Sequence, residues 1–153
     1  MYYANMHKDF DAWNESKKNL DSRKHAPHCH AGEVWWCSIG VNIGSEQDSM
    51  SSEYGRPIVV LRKVSRNVFL AVPLTTKIRD GVPFRVRIEF QGAVSDALID
   101  QVRVYDRRRL MRLIGKLDTG TFARIQDALT DLVGNTKSRA RRDFSEPSNE
   151  GTV

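Results

Sequence analysis

The stretch "RPIVVLRKVSRNVFLAVPLTT" (Arg56–Thr76) decides the fold. Ile58, Val59, Val60 and Leu61 form a continuous apolar run, which predicts a buried strand. "SRN" (Ser65–Asn67) reads as a turn, and "NVFLAVPL" (Asn67–Leu74) as the returning strand. Pro73 has no N–H to give a ladder, so the end of that strand is expected at an edge or a bulge. The hairpin ends in hydroxyls, Thr75 and Thr76, and begins with one cation, Arg56. A polar loop, "GSEQDSMSSEYG" (Gly44–Gly55), delivers that cation to its strand. A cation where a loop meets a strand suits an anion, although many such residues are only solvated strand ends.

The pattern on either side is mostly β. "EVWWCSIG" (Glu33–Gly40) precedes the hairpin as a strand. "PFRVRIEF" (Pro83–Phe90) alternates, with Phe84, Val86, Ile88 and Phe90 on one face and Arg85, Arg87 and Glu89 on the other. "DALIDQVRVYD" (Asp96–Asp106) reads as a fifth strand, "DRRRL" as one helical turn, and "MRLIGKL" (Met111–Leu117) as a last strand. "DTGTFARIQDALTDLVG" (Asp118–Gly134) predicts a helix capped by Asp118 or Thr119 and stopped at Gly134. Its buried stripe is Phe122, Ile125, Leu129, Leu132 and Val133. Near the start, "DFDAWNESKKNLDSRK" (Asp9–Lys24) predicts a short amphipathic helix with Asp9 as its cap and Phe10, Trp13 and Leu20 on one face. Short strands in succession, closed by a helix, suggest a mainly β (α+β) fold: a small, partly open barrel or a strongly twisted sheet.

The totals bound the function. A chain of 153 residues suits one domain with one sizeable core. The expected organisation is an N-terminal helix and linker (1–31), a barrel domain (32–134) and a basic tail (135–153) without apolar periodicity. Lys and Arg total 24 against 19 Asp and Glu, a net charge of +5 that favours a polyanionic partner. No run approaches a membrane span and "MYYANMHKDF" lacks a signal-peptide layout, so a soluble, cytoplasmic protein is expected. Two cysteines, Cys29 and Cys37, make no disulfide framework. His25, His28, Cys29, His30 and Cys37 match no standard zinc spacing, so no metal and no cofactor is assigned. All four histidines precede the barrel, which excludes a histidine acid–base pair within it unless the linker folds back. Between Arg103 and Lys116 lie six basic residues and one acid, Asp106. That run is a phosphate track or a solvated face.

In order, the blocks "GEVWWCSIG", "GSEQ", "RPIVVL", "VPLTT", "PFRV", "ALIDQVRVYD" and "RLIGKL" resemble the MazF/PemK toxins of bacterial toxin–antitoxin modules, from Gly32 to about Val133. The resemblance implies an SH3-like, CcdB/MazF-type β-barrel with a C-terminal helix, to which this chain adds an N-terminal helix. It implies a cytoplasmic, homodimeric endoribonuclease that cuts single-stranded RNA (mRNA) at short sequences, without metal, and is silenced by a cognate antitoxin. It assigns Arg56 and Thr75 as essential residues, with Glu46 as a possible base or orienting partner of Arg56. Ser45, Gln47, Thr76, Lys77, Gln101 and Arg103 complete the expected RNA-binding set.

The chemistry of RNA self-cleavage fits these types. A 2′-OH attacks the adjacent phosphate, leaving a 2′,3′-cyclic phosphate and a 5′-OH. Catalysis needs in-line positioning and donors aimed at a dianionic transition state. The guanidinium supplies planar paired donors and the threonine hydroxyl one more. Two other functions stay open: a CcdB-like poison of DNA gyrase on the same fold, and an RNA- or DNA-binding module without chemistry. The loop from Gln47 to Arg56 is longer than in compact members, so sequence specificity is not transferable. The N-terminal helix is expected to brace the barrel, with a dimer or antitoxin role as alternatives.

Overall fold

A computed structural model describes residues 7–134 of the chain. The basic tail expected at 135–153 lies outside the described residues. The order is α1 (Phe10–Asp21), β1 (Glu33–Ser38), β2 (Gly55–Lys63), β3 (Val68–Thr75), β4 (Arg85–Phe90), β5 (Ala93–Leu98), β6 (Arg103–Asp106), β7 (Leu110–Lys116) and α2 (Thr119–Gly134). All strand pairings are antiparallel. They run β4-β5-β3-β2-β1-β7, with β6 also on β3. The path of paired strands is open, so the sheet is bent and does not close into a barrel.

Among the described residues, seven strands replace the six expected. "DALIDQVRVYD" is broken by a single 3-10 turn at Ile99–Gln101, which separates β5 from β6. The break has a structural cause in β3. One edge of β3 pairs β2 over Phe69–Pro73, while the other pairs β6 over Val68–Ala71 and β5 at Leu74 and Thr75. Pro73 falls where the partner changes, so its missing N–H costs no ladder bond.

The central hairpin is buried on both faces, as its apolar run requires. One face carries Cys29, Trp35, Cys37, Ile58, Val60, Phe69, Ala71, Tyr105 and Leu110. The other carries Val34, Val59, Leu61, Val72, Leu74, Ile88 and Ala97, covered by Ile125 of α2. Burying each large apolar side chain contributes roughly 1.5–3 kcal/mol. A one-residue slip would exchange the two faces, so the register is tightly specified.

Asp118 caps α2, its carboxylate accepting from the N–H and hydroxyl of Thr121 at 2.8 and 2.7 Å. Ile125 is fully buried and Phe122, Leu129 and Leu132 pack beside it. Val133 departs from the expected stripe: it is 78% exposed, on the last turn of the helix. Asp9 caps α1, accepting from the Ala12 N–H at 2.9 Å. Trp13 is the buried residue of α1, whereas Phe10 is 49% exposed and not part of a shared buried face. Phe84 likewise lies outside β4, with φ +60° and an exposed ring.

The N-terminal segment is strapped to the sheet by the basic run. Arg107 donates to the Ala26 carbonyl at 2.6 Å, and Arg108 to the Asp21 carbonyl at 2.9 Å. Arg23 returns bonds to the carbonyls of Arg108 and Leu110. Arg109 donates to the Ser38 carbonyl and sits 5.6 Å from the Trp13 ring. These three arginines are therefore not an unpartnered basic run: each donates to a backbone carbonyl. They hold the α1 segment and its linker in place.

Candidate active site

β2 and β3 pair as far as Ile58 with Pro73. Extending that register two residues along each strand sets Arg56 across from Thr75, and Arg56 Nη1 reaches the carbonyl of Leu74, the residue before Thr75. Both continue the rows that carry Ile58, Val60, Phe69 and Ala71, so their side chains leave the same face of the sheet. The apolar row ends and a polar pair begins at the open end of the hairpin.

The guanidinium is held by backbone. Arg56 Nε and Nη2 donate to the Asp48 carbonyl at 3.2 and 2.9 Å, and Nη1 donates to the Leu74 carbonyl at 3.2 Å. An arginine carries five N–H groups. Three are engaged here, which leaves one on each terminal nitrogen for a ligand. Burial lowers the pKa of Arg56 from its ordinary value, opposed chiefly by the Asp48 carboxylate. Arginine's pKa starts so high that the group stays cationic at neutral pH. Thr75 is buried, and its Oγ1 accepts from the Lys77 N–H at 3.2 Å. The hydroxyl hydrogen remains available to donate.

A cleft of about 540 Å³ adjoins the pair, within the size range of small-ligand sites. Arg56, Thr75 and Thr76 are among its polar lining residues, and Trp36, Phe90 and Ile114 among its apolar ones. The apolar residues belong mainly to the sheet face opposite the Arg56 and Thr75 side chains, so the pair borders the cleft at the strand ends. Trp36 also lines a second cleft with Ser51, Glu53, Met111 and Arg112. The Arg112 guanidinium lies 5.6 Å from the Trp36 ring. Gly55 permits this arrangement, since a Cβ there would stand 2.1 Å from Trp36 Nε1.

The other expected residues fall into distinct positions. Gln101 faces the loop: its Oε1 accepts from the Gln47 N–H at 2.9 Å and its Nε2 donates to the Ser45 carbonyl at 3.4 Å. Gln47 Nε2 donates to the Asp48 carbonyl that also receives Arg56. Glu46 is exposed and does not line the cleft, and the oxygens that orient Arg56 are the Asp48 and Leu74 carbonyls. Glu46 is therefore not the orienting partner of Arg56 in this structure. Lys77 is exposed, its carbonyl accepting from Arg85. Arg103 stacks on Tyr105, 4.7 Å from the ring centroid.

His28 and His30 make their contacts elsewhere. His28 lies beside Lys63, Arg66 and Arg107, at the turn end of the hairpin and away from Arg56. The Arg107 charge, chiefly, lowers its pKa. His30 pairs with Glu33 at 3.2 Å, and Cys29 and Cys37 are packed in the core. Burial pushes the Cys37 thiol up to about 12.

Two residues of the site region carried signals that the sequence reading did not use. In "EVWWCSIG", adjacent tryptophans on a strand point to opposite faces, so one of Trp35 and Trp36 had to leave its neighbour's core. Asp96 sits next to Thr75 across the β3–β5 pairing and is 1% exposed. It accepts from Arg87 Nε at 2.9 Å, from the Arg79 N–H at 3.2 Å and from Arg85 at 3.4 Å. The Arg87 hydrogen bond, above all, lowers its pKa. A lone acid in "VSDAL" opposite "RVR" was the available clue.

The class is a bent antiparallel sheet closed by a terminal helix, with an arginine at the root of a loop and a threonine at the end of the neighbouring strand. The comparisons give that class its family. Residues 30–133 match the model described as "PemK-like, MazF-like toxin of type II toxin-antitoxin system", and the chain belongs to this family. It is 29% identical over 111 residues to Endoribonuclease MazF9 of Mycobacterium tuberculosis, covering 64% of this chain and 90% of that one. The crystal structure of MazF from Deinococcus radiodurans superposes with a TM-score of 0.59 at 25% identity, covering 72% of this chain and 99% of that one. A mycobacterial endoribonuclease in complex with its cognate antitoxin shares the fold, with a TM-score of 0.55, 20% identity, and coverage of 70% and 96%.

Proposed function

We propose that this toxin is an endoribonuclease that cleaves single-stranded RNA, with Arg56 and Thr75 at the scissile phosphate. One feature supports the reading: Arg56 and Thr75, at the neighbouring ends of β2 and β3, both line the same cleft. The name of its MazF9 relative supports the reaction class. The two uncommitted N–H groups of Arg56 form a fork for two non-bridging oxygens. The Thr75 hydroxyl adds a donor to the same group. Such fixed donors each contribute about 3 kcal/mol in the transition state. The 2′-OH attacks in line, the cyclic phosphate forms, and the 5′-oxygen leaves with a proton. Trp36 and Phe90 offer apolar faces for neighbouring bases.

In this reading the bonds from Gln101 to the loop give it a positioning role, while Ser45, Gln47, Thr76, Lys77 and Arg103 remain candidates for RNA contact. Glu46 is free to approach substrate from the loop. The finer features are a coiled, barrel-like sheet, a homodimer working without metal in the cytoplasm, and silencing by an acidic antitoxin segment. Among the described residues no helix is long and apolar enough to cross a membrane.

Purified protein, Arg56→Ala and Thr75→Ala should be incubated with mixed RNA in chelator. Discrete fragments from the wild type and none from either variant are expected. Wild-type cutting by a variant removes that residue from the mechanism, and intact RNA with slowed gyrase favours the gyrase-poison alternative.

A further inference from the structure

The loop that roots Arg56 is held by Gln101 on one side and, from the N-terminal segment, by the ammonium of Lys8. Lys8 Nζ donates to the Asn42 carbonyl at 2.8 Å and to the Gly44 carbonyl at 3.1 Å, and pairs with Asp48 Oδ2 at 2.7 Å. The other carboxylate oxygen of Asp48 accepts from the Asn42 N–H. The carbonyl of this same Asp48 receives two of the three Arg56 bonds. The path from Lys8 to Arg56 thus crosses one residue.

The rest of the α1 segment reinforces the contact. The Trp13 ring packs so closely on Gly40 that a Cβ there would lie 2.0 Å from it. Gly40 also has φ +82°, a conformation suited to glycine. Tyr54 places its ring centroid 5.0 Å from that of Trp13, and its carbonyl accepts from the N–H groups of Ile39 and Gly40. Both ends of the loop are therefore seated on α1, while Lys8 holds its middle. Lys8 is itself mostly shielded, with 24% of its side chain exposed, so its charge is only partly screened by solvent.

We propose that Lys8 is a positioning residue for the RNA-cleaving site, with α1 acting as a built-in clamp that fixes Asp48 and through it the Arg56 guanidinium. This rests on the proposed role of Arg56. Without the ammonium, three acceptors lose their partner and the Asp48 carboxylate is left half-paired. The loop then samples positions in which the Arg56 fork is misaimed, and a displacement of about 1 Å at a reacting group lowers rate by as much as 10²-fold.

The test uses the full chain with Lys8→Met, Lys8→Arg and Arg56→Ala, each followed by single-turnover RNA cleavage, melting temperature and amide hydrogen exchange over residues 40–55. Lys8→Met is expected to cut about tenfold more slowly at saturating RNA, with little change in RNA affinity and faster loop exchange. Lys8→Arg is expected to recover most of the rate and the protection. Wild-type cleavage by Lys8→Met, with Arg56→Ala inactive, overturns the clamp. So does an equal loss in both Lys8 variants with loop exchange unchanged. Wild-type cleavage by Arg56→Ala removes instead the reading of the site on which the clamp's catalytic role depends.

Discussion

Arg56→Lys separates charge from geometry at the centre of the site. The variant keeps a cation at the loop root but loses the planar fork. Three Arg56 N–H groups bind two carbonyls from two different segments, Asp48 of the loop and Leu74 of β3. An ammonium on a flexible stem satisfies one of these carbonyls while still meeting a phosphate as a point charge. Hydrogen bonds from charged donors contribute about 1.5–3 kcal/mol each, so losing one net bridge costs roughly 2 kcal/mol of stability. That corresponds to a fall in melting temperature of about 4–8 °C for a chain of this size. The paired contact to the phosphate contributes about 3 kcal/mol in the transition state, which predicts a loss in cleavage rate on the order of 10²-fold. Single-turnover cleavage and a thermal melt, on the same preparation, measure both quantities. An Arg56→Lys variant that cuts within about threefold of wild type and melts at the same temperature would refute the claim that the fork is both anchor and catalyst.

Three further outcomes follow from the packing. Gly55→Ala places a methyl group 2.1 Å from Trp36 Nε1, so the indole or the root of β2 must shift. A stability loss of about 1–3 kcal/mol, altered tryptophan emission and weaker cleavage are expected; unchanged emission would show that the ring does not feel the methyl group. Asp96→Asn removes a carboxylate that Arg87 holds below its usual pKa. A depressed pKa contributes stability that is present above the unfolded value, near 3.9, and lost as pH falls through the folded value. The melting-temperature gap between wild type and Asp96→Asn should be full at pH 7 and shrink below about pH 4; a gap independent of pH would contradict the ion-pair account. Cys29 and Cys37 should resist a thiol reagent at pH 8 in the native protein and both react after denaturation, because burial raises both thiols. Rapid native labelling of Cys37 would mean that its core opens readily.

The hairpin was legible because its signal is local and redundant. Ile58–Leu61 and Phe69–Val72 are apolar without interruption, and Ser65–Asn67 supplies the turn between them. The helices were legible from their caps, Asp9 and Asp118. The break at Ile99–Gln101 was not, since no glycine or proline marks it and Ile99 is as buried as a strand residue. It arises from a change of partner along β3, which local pattern does not encode. The juxtaposition of Arg56 and Thr75 came from family resemblance, and the register gives it a physical basis. The anchoring of the loop was invisible for another reason. Lys8 and Asp48 are forty residues apart, and nothing in "MHKDF" distinguishes that lysine from a solvated one. Likewise, Arg107, Arg108 and Arg109 looked like an electrostatic surface because charge counting ignores the carbonyls of Asp21, Ala26 and Ser38 that they reach.

The most direct measurement is the chemical identity of the fragment ends formed when the wild-type chain meets single-stranded RNA in excess chelator. Fragments with a 5′-hydroxyl and a 2′,3′-cyclic phosphate, absent when the nucleotide at the cut carries a 2′-hydrogen, are the expected result. Fragments bearing 5′-phosphates, or equal cutting of the 2′-deoxy substrate, would contradict it.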